Sequence, residues 1–152
     1  MFAYGWEGFF KKLSELNSRV EDKAAEEYIR AFYYLEKKNG QARASELARY
    51  LGVSKAGVSE MLRSLARRGL VRVKKYSPAR LTPRGSALAR KMTFKHRVLE
   101  SFLSLKLRMP LGNVHEEASR LEHAISDDAV MRLYRLLGRP KKDPHGSRIS
   151  AF

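Results

Sequence analysis

Two short amphipathic segments separated by Leu51-Gly52-Val53 decide more about the fold of this chain than any other feature of its sequence. The first covers residues 46–50 behind the predicted N-cap Ser45, and the second covers residues 55–68 behind the N-cap Ser54. A glycine-containing turn of this kind joins two helices at a steep angle. The pattern therefore predicts a helix-turn-helix unit. The residues of the second helix predicted to face inward are Val58, Leu62 and Leu65.

The flanking segments extend this unit to a winged helix. Apolar residues at helical spacing predict two helices before it, over residues 1–20 and 21–38. The first would pack on the body or across a dimer interface, with a membrane-surface role as the alternative. After the unit, residues 71–76 alternate with the period of a strand and residues 80–82 return, which predicts a basic hairpin.

The rest of the chain is predicted to be helical, so the fold class is mainly α. Thr82-Pro83 starts a long helical region that runs to about residue 107 and is expected to break near Thr93. A helix carrying residues 115–123 follows, and Ser126 caps a last helix that ends at Gly138. The remaining residues, rich in Pro, Gly and Lys, are expected to form an irregular tail.

The excess positive charge is confined to one segment. The formal net charge is +15. Residues 37–97 hold 17 Lys or Arg and only two acids, Glu46 and Glu60, so the positive and negative charges of the remaining residues cancel one another. Concentrated positive charge gains free energy by releasing counterions from nucleic acid, whereas a merely solubilising surface mixes both signs. Double-stranded DNA is therefore the predicted partner.

The leading end of the helix that Ser54 caps suits the major groove, because small and polar residues let the backbone approach the base edges. The candidates for base-edge contact are Ser54, Lys55, Ala56, Gly57, Ser59 and Glu60. Phosphate contacts fix register without reading sequence. The candidates for these are Arg63, Arg67, Lys74, Lys75 and Arg80.

The absence of cysteine excludes disulfides, thiolate zinc sites, iron–sulfur clusters and a thiol nucleophile. A bound metal would be held by nitrogen and oxygen atoms. No apolar stretch approaches the roughly 20 residues that span a bilayer, and the N-terminal residues lack the order of a signal peptide. A cytoplasmic protein without a membrane partner is expected.

Ligand-capable side chains recur at helical spacing after the basic segment. At about 100° per residue, those of residues 115–123 share about one third of a helix circumference and can converge on one ion. His96 and Glu100 share a helix face at i, i+4. Taken alone, His96 with Glu100, or Glu122 with His123, is more typical of a solvated helix face than of a metal site. The residues of the run are His115, Ser119, Glu122 and His123.

The order of these motifs over residues 26–146 resembles the diphtheria-toxin-repressor and manganese-transport-regulator family of metal-dependent repressors. The combination in this order is specific, although each piece alone is weak. The resemblance implies a homodimer in a short form without a C-terminal SH3-like domain. The matching stretches are residues 27–36, 51–54, 80–85, 96–100, 114–118 and 120–123.

The resemblance implies two sites for a divalent metal, Mn²⁺ or Fe²⁺, with Zn²⁺ or Co²⁺ as further ions that such ligands bind in vitro. The principal site would use Glu27, Ser119, Glu122 and His123. The ancillary site would use His96, Glu100 and His115. Ser119 stands where the family offers Glu or Cys, so a carbonyl or water would coordinate there, or the site would be weak. His145 matches the family's Pro-His-Gly turn and is expected to be structural.

The implied protein is a repressor that binds a palindromic operator as a homodimer when metal is bound. Its predicted parts are an extension (1–20), a winged helix DNA-binding domain (21–82), an all-helical dimerisation and metal-binding domain (83–140) and a tail (141–152). The alternative is a metal-independent winged-helix regulator in which Arg30 replaces the cation beside Glu27 or Glu122. An enzyme is not expected, because no Glu is placed as a general base beside an open metal site.

Overall fold

A computed structural model describes the backbone of residues 6–75 and 77–152, and the side chains from residue 22 onward apart from Tyr76. The described residues form six helices and one two-stranded antiparallel sheet. They divide into two compact units, of which the first ends at Thr82 and the second is Pro83–Phe152. The predicted class, mainly α with a winged helix before a helical domain, is confirmed. None of the described helices is long and apolar enough to cross a membrane.

The first helix, α1, is continuous over Trp6–Asn39, so the predicted division into two helices near residue 20 is wrong. The reason is local: residues 9–39 contain neither glycine nor proline, and nothing in this stretch breaks the hydrogen-bond ladder. The side chains of the predicted apolar stripe in residues 1–20 lie outside the described residues. Gly40, with φ +74°, ends α1 in the left-handed region that favours glycine.

The helix-turn-helix consists of α2, Ala44–Leu51, and α3, Lys55–Arg67, as predicted from the pattern. Arg43 is the N-cap of α2, so the prediction of Ser45 is wrong. The Arg43 N–H donates to Glu46 Oε2 at 2.9 Å, and this bond starts the helix two residues earlier than expected. Between the helices, Gly52 adopts φ +68° and turns the chain.

The N-terminus of α3 is capped as predicted, because Ser54 Oγ accepts a hydrogen bond from the Gly57 N–H at 3.0 Å. The predicted inward face of α3 is also confirmed, since it packs with α1 and α2 in the core of the first unit. Burial of apolar side chains on three helices fixes the angle at which α3 presents its other face. The largest buried side chains of this core are Ile29, Phe32, Leu47, Val58 and Leu65.

The wing is shorter than predicted. Strands β1, Val71–Arg72, and β2, Arg80–Leu81, pair with Val71 opposite Leu81. The strand expected over residues 71–76 is wrong for residues 73–75, because the Ser77 N–H donates to the Lys74 carbonyl at 3.3 Å and the chain turns there, while Tyr76 lies outside the described residues. The hairpin is therefore mostly a loop that carries exposed lysines.

The second unit contains α4, Pro83–Leu105, α5, Leu111–Leu121, and α6, Asp127–Leu136. The break expected near Thr93 is wrong, because α4 is continuous. Ser126 caps α6 as predicted and accepts the Ala129 N–H at 3.1 Å. The C-terminal segment is largely irregular, yet Ile149 is buried among Phe94, Val98 and Val130. This segment is thus fastened to the core of the second unit.

Candidate metal centre and DNA-binding surface

Apolar packing between α4 and α5 brings the candidate ligands of the second unit together. Leu99 and Leu103 of α4 pack against Val114 and Ala118 of α5. Residues beside this contact line therefore face one another across the two helices. On α4 these neighbours include His96 and Glu100, one turn apart, and on α5 they include His115.

The resulting group, called here the His-Glu cluster, consists of His96, Glu100 and His115, whose ligand atoms all lie within 4.8 Å of one another. His96 Nε2 and His115 Nδ1 each lie 3.0 Å from Glu100 Oε1. The two imidazole nitrogens are also 3.0 Å apart. The side chains of His96 and Glu100 are 6% and 3% exposed, whereas that of His115 is 58% exposed. The cluster thus has a buried floor and one side open to solvent.

Glu122 connects the His-Glu cluster to the end of α5. Its Oε2 atom lies 2.6 Å from His96 Nδ1, and its Oε1 atom lies 3.4 Å from His123 Nε2. The Glu122 side chain is fully buried, so these contacts are made in a low-dielectric environment. A carboxylate on Nδ1 fixes the ring orientation and tautomer of His96 and raises the basicity of Nε2, the nitrogen that faces Glu100.

Glu100 is ionised in this arrangement. Burial by itself would raise the pKa of Glu100, but the hydrogen bond and charge of His96, the hydrogen bond of His115 and the charge of His145 outweigh it and lower the pKa. The ionised carboxylate is also the form that coordinates a cation.

The donor chemistry of the cluster fits a divalent transition metal. Imidazole nitrogen together with carboxylate oxygen suits Mn²⁺, Fe²⁺, Co²⁺ and Zn²⁺. Neighbouring donors in a tetrahedral or octahedral complex with bonds of about 2.0–2.2 Å lie about 2.8–3.6 Å apart. The 3.0 Å separations within the cluster match that spacing before any ion is bound.

The structure brings together the three residues proposed for the ancillary site, and of the principal set it joins Glu122 with His123. Ser119 is half-buried on α5. Glu27 lies half-buried on α1 in the first unit, and its participation stays a prediction. The helix that was expected to hold residues 115–123 ends at Leu121.

His145 was expected to be structural, and the structure shows that its Nε2 atom lies 3.5 Å from Glu100 Oε1. Sequence reasoning missed this contact, although the distribution of histidines along the chain pointed to it. The chain has only four histidines, and all of them follow residue 95. Each of the four lies within 3.5 Å of Glu100 or Glu122.

The loop between α5 and α6 is held by a buried lysine. Lys95, next to His96, donates to the Ile125 carbonyl at 2.7 Å and lies 2.9 Å from Asp127 Oδ1. A buried ammonium needs such partners, because its desolvation is otherwise uncompensated. The same α4 turn that carries His96 therefore also positions the chain after His123.

The face of α3 that does not enter the core is available to a partner. Lys55, Ala56 and Glu60 are exposed, as is the capping residue Ser54, and Gly57 is half-buried. Ser59 is exposed too, but its hydroxyl donates to a backbone carbonyl one turn earlier. Small side chains at the leading end leave the backbone approachable, as groove entry requires.

The candidates for phosphate contact differ in how they are held. Arg63, Arg67, Lys74 and Lys75 are exposed. Arg80 is 56% exposed, but its guanidinium donates to the Gly40 carbonyl at 2.9 Å and lies 3.9 Å from Glu36. Arg80 thus ties the wing to the end of α1, and its contact with phosphate stays a prediction.

Comparison with known proteins gives two family matches in the same order as the two units. Residues 22–79 match the N-terminal DNA-binding domain of iron-dependent repressors, and residues 82–151 match their metal-binding and dimerisation domain. The chain is 36% identical over 124 residues to the iron-dependent repressor IdeR of Mycobacterium tuberculosis, with 82% of this chain and 54% of that protein covered. It is 33% identical over 124 residues to the diphtheria toxin repressor of Corynebacterium diphtheriae, with 82% and 55% covered.

The structure is also similar to that of the manganese regulator SloR, with a TM-score of 0.76 and 36% identity over 84% of this chain and 59% of that one. The chain spans about half the length of the two curated repressors, IdeR and the diphtheria toxin repressor. Both relatives are named as repressors.

Proposed function

Because this chain belongs to the iron-dependent repressor family, we propose that it is a metal-dependent transcriptional repressor that binds an operator as a homodimer. The observation that carries the proposal is the His-Glu cluster, whose three ligand atoms lie within 4.8 Å of one another in a chain that also exposes a basic helix-turn-helix. A cytoplasmic location follows from this function, since the operator lies there.

The DNA-binding half of the proposal rests on the exposed face of α3. Its leading end would meet base edges in the major groove, while Arg63, Arg67, Lys74 and Lys75 would meet phosphates. Two copies related by a two-fold axis would present their α3 helices to successive major grooves, about 34 Å or a multiple apart. A palindromic operator is the DNA symmetry that matches such a dimer.

Exposed apolar side chains of the second unit support a dimer. Exposed apolar side chains gain free energy when a partner removes them from water. The exposed leucines of this unit are Leu105, Leu107, Leu111, Leu121 and Leu136, at 38–70%.

The regulatory half of the proposal rests on the cluster. His96, Glu100 and His115 would hold Mn²⁺ or Fe²⁺, and the cation would supply bonds that join α4 to α5. Before any ion binds, Glu100 is ionised and Glu122 orients His96, so the chain's own residues preorganise the donors. The principal set, with Glu27 and His123, is proposed as a second site.

The test is a DNA-binding titration with the purified chain and DNA from upstream of its own coding region, measured by fluorescence anisotropy with Mn²⁺, with Fe²⁺ under anaerobic conditions, and with chelator. We expect metal to raise the affinity and Glu100→Gln to abolish most of that gain. Glu116→Gln is the matched control, because Glu116 is 72% exposed on α5 and its loss removes the same charge. His123→Ala tests the second site.

Equal affinity with metal and with chelator would refute metal control and favour the metal-independent regulator. Absence of DNA binding under all of these conditions would refute both regulators.

A further inference from the structure

We infer that a groove between the C-terminal end of α1 and the helix α2 binds a nucleoside monophosphate, a ligand that joins a planar base to an anionic phosphate. The groove, called here the tyrosine groove, lies entirely within the first unit. None of its residues is a candidate metal ligand or a candidate DNA contact, so this site goes beyond the proposed function. Its lining includes Tyr34, Leu35 and Lys38 on α1 and Glu46, Arg49 and Tyr50 on α2.

Two exposed aromatic rings form one wall of the tyrosine groove. The ring centroids of Tyr34 and Tyr50 lie 5.3 Å apart, and the two ring planes are inclined at 31°. These side chains remain 42% and 49% exposed, although each pairs with the other. A nucleobase stacks on such a ring because every base has a flat π-face. The wall is therefore suited to the base of the ligand.

Two cations in the groove are available to a phosphate. Lys38 Nζ lies 5.7 Å from the centroid of the Tyr34 ring, so the ammonium is beside the aromatic wall. Arg49 is exposed in the last turn of α2 and makes no hydrogen bond or ion pair with another described residue. A guanidinium binds phosphate through two parallel hydrogen bonds, and an ammonium binds it as a point charge.

The one acid in the lining, Glu46, is already occupied within the protein. Its Oε2 atom accepts the Arg43 N–H at 2.9 Å, and its Oε1 atom accepts a hydrogen bond from Asn39 Nδ2 at 3.2 Å. These two bonds place the carboxylate at the start of α2, where the helix dipole favours a negative charge. The lining thus holds two cations against one acid, which favours an anionic ligand.

The size of the groove favours a ligand larger than a single ring. Its volume is about 330 Å³, at the lower end of the range of about 300–1,000 Å³ for small-molecule sites. A cavity of about 150 Å³ holds one benzene ring. The tyrosine groove therefore has room for a bicyclic base and the charged group that it carries.

The test is calorimetric titration of the full chain with AMP in the presence of a chelator. The chelator removes any metal ion through which the His-Glu cluster could hold phosphate. Adenosine and inorganic phosphate are titrated separately, because each supplies only one half of the ligand. A melting curve checks that each variant folds.

Two pairs of variants separate the groove from general charge effects. Tyr50→Leu removes the ring, whereas Tyr50→Phe keeps it. Arg49→Gln removes a cation from the last turn of α2, and its matched control Arg135→Gln removes an exposed cation from the last turn of α6. Because Arg49 is exposed, Arg49→Gln carries the test if Tyr50→Leu does not fold.

We expect AMP to bind at least about tenfold more tightly than adenosine or inorganic phosphate. Tyr50→Leu should lower the AMP affinity at least about fivefold and Arg49→Gln about tenfold, while Tyr50→Phe and Arg135→Gln stay within about twofold of the wild type.

Equal affinities for AMP and inorganic phosphate would overturn the inference, since the aromatic wall would then have no role. Equal losses in Arg49→Gln and Arg135→Gln would overturn it as well, because binding would then follow net charge alone. If the wild-type chain binds no AMP but Tyr50→Leu weakens DNA binding, the groove belongs to the DNA-binding surface and the inference is wrong.

Discussion

Replacement of Asp127 by Asn tests how the second unit holds the loop that carries Glu122 and His123. Asp127 begins α6, and its two carboxylate oxygens lie 2.9 Å from Lys95 Nζ and 2.5 Å from Lys91 Nζ. Asn keeps the shape and can still accept one hydrogen bond, but it removes the negative charge. The buried ammonium of Lys95 would then keep only the Ile125 carbonyl as a strong acceptor among its described contacts.

The loss of unfolding free energy in Asp127→Asn depends on how deeply Lys95 and Asp127 are buried. A hydrogen bond to a charged group contributes about 1.5–3 kcal/mol. The Lys95 side chain is 9% exposed, but that of Asp127 is 45% exposed, so solvent screening reduces this figure. We expect Asp127→Asn to lower the free energy of unfolding by about 1–2 kcal/mol.

Asp128→Asn is the matched control. Asp128 lies in the same first turn of α6 and gains the same interaction with the helix dipole. Its partner is Arg132, and both side chains are more than 70% exposed, so this ion pair contributes little. The difference between the two variants therefore isolates the contact with Lys95 from the general effect of removing an acid at a helix N-terminus.

The assay is urea unfolding of the metal-free chain at several pH values. Hydrogen bonds from Lys91 and Lys95 lower the pKa of Asp127, with burial opposing them more weakly. A carboxyl whose pKa is lower in the folded state stabilises fully above its unfolded pKa, near pH 4, and loses that contribution as the pH falls through the folded pKa. The cost of Asp127→Asn should thus be full at pH 7 and shrink below about pH 4. Equal costs for the two variants at pH 7 would refute the reasoning.

Three further changes test the DNA-binding surface and the cluster. Gly57→Ala places a methyl group 3.3 Å from Ser54 Oγ and on the face that we propose approaches DNA, so we expect stability to change by less than about 1 kcal/mol while anisotropy shows weaker DNA binding. Lys75→Ala removes one phosphate contact per subunit, so it should reduce the salt slope of DNA affinity by about 1.8 for the homodimer and weaken operator and unrelated DNA alike; a selective loss for the operator would contradict a phosphate contact. Glu122→Gln should lower the Mn²⁺ affinity measured by calorimetry about 10- to 100-fold, because the carboxylate orients His96; unchanged affinity would exclude that role.

The sequence was sufficient to predict those features of the structure that depend on residues a few positions apart. Ser54 caps α3 because its side chain reaches the N–H three residues on, and the inward face of α3 follows from the helical period. His96 and Glu100 meet for the same reason, since residues four apart lie on one helix face. These features could be predicted from the spacing alone.

Features that depend on distant contacts could not be predicted in this way. His115 joins the pair on α4 only because Leu99 and Leu103 pack against α5, so sequence reasoning needed the family order to place it. The approach of His145 depends on the burial of Asp143 and Ile149, which no local period reports.

The predicted length of the wing strand was wrong for a related reason. Alternation over residues 71–76 is the pattern of a strand, but a strand also needs a partner of equal length. In the antiparallel register that places Arg72 opposite Arg80, longer pairing of β1 would need partners in residues 77–79. The chain turns at Ser77, and Pro78 has no N–H to donate to a ladder, so this turn limits the length of β1.

Two consecutive residues of α4 fasten the chain that links α5 to α6, and these contacts connect the loop to the cluster. Lys95 holds the Ile125 carbonyl, and His96 contacts the Glu122 carboxylate. Consecutive side chains on a helix point about 100° apart, so Lys95 and His96 hold the linking segment from different directions. Movement of that segment would pull on His96 from its Nδ1 side while Glu100 holds its Nε2 side. The orientation of the His96 ring, and with it the donor geometry of the cluster, therefore depends on the position of this loop.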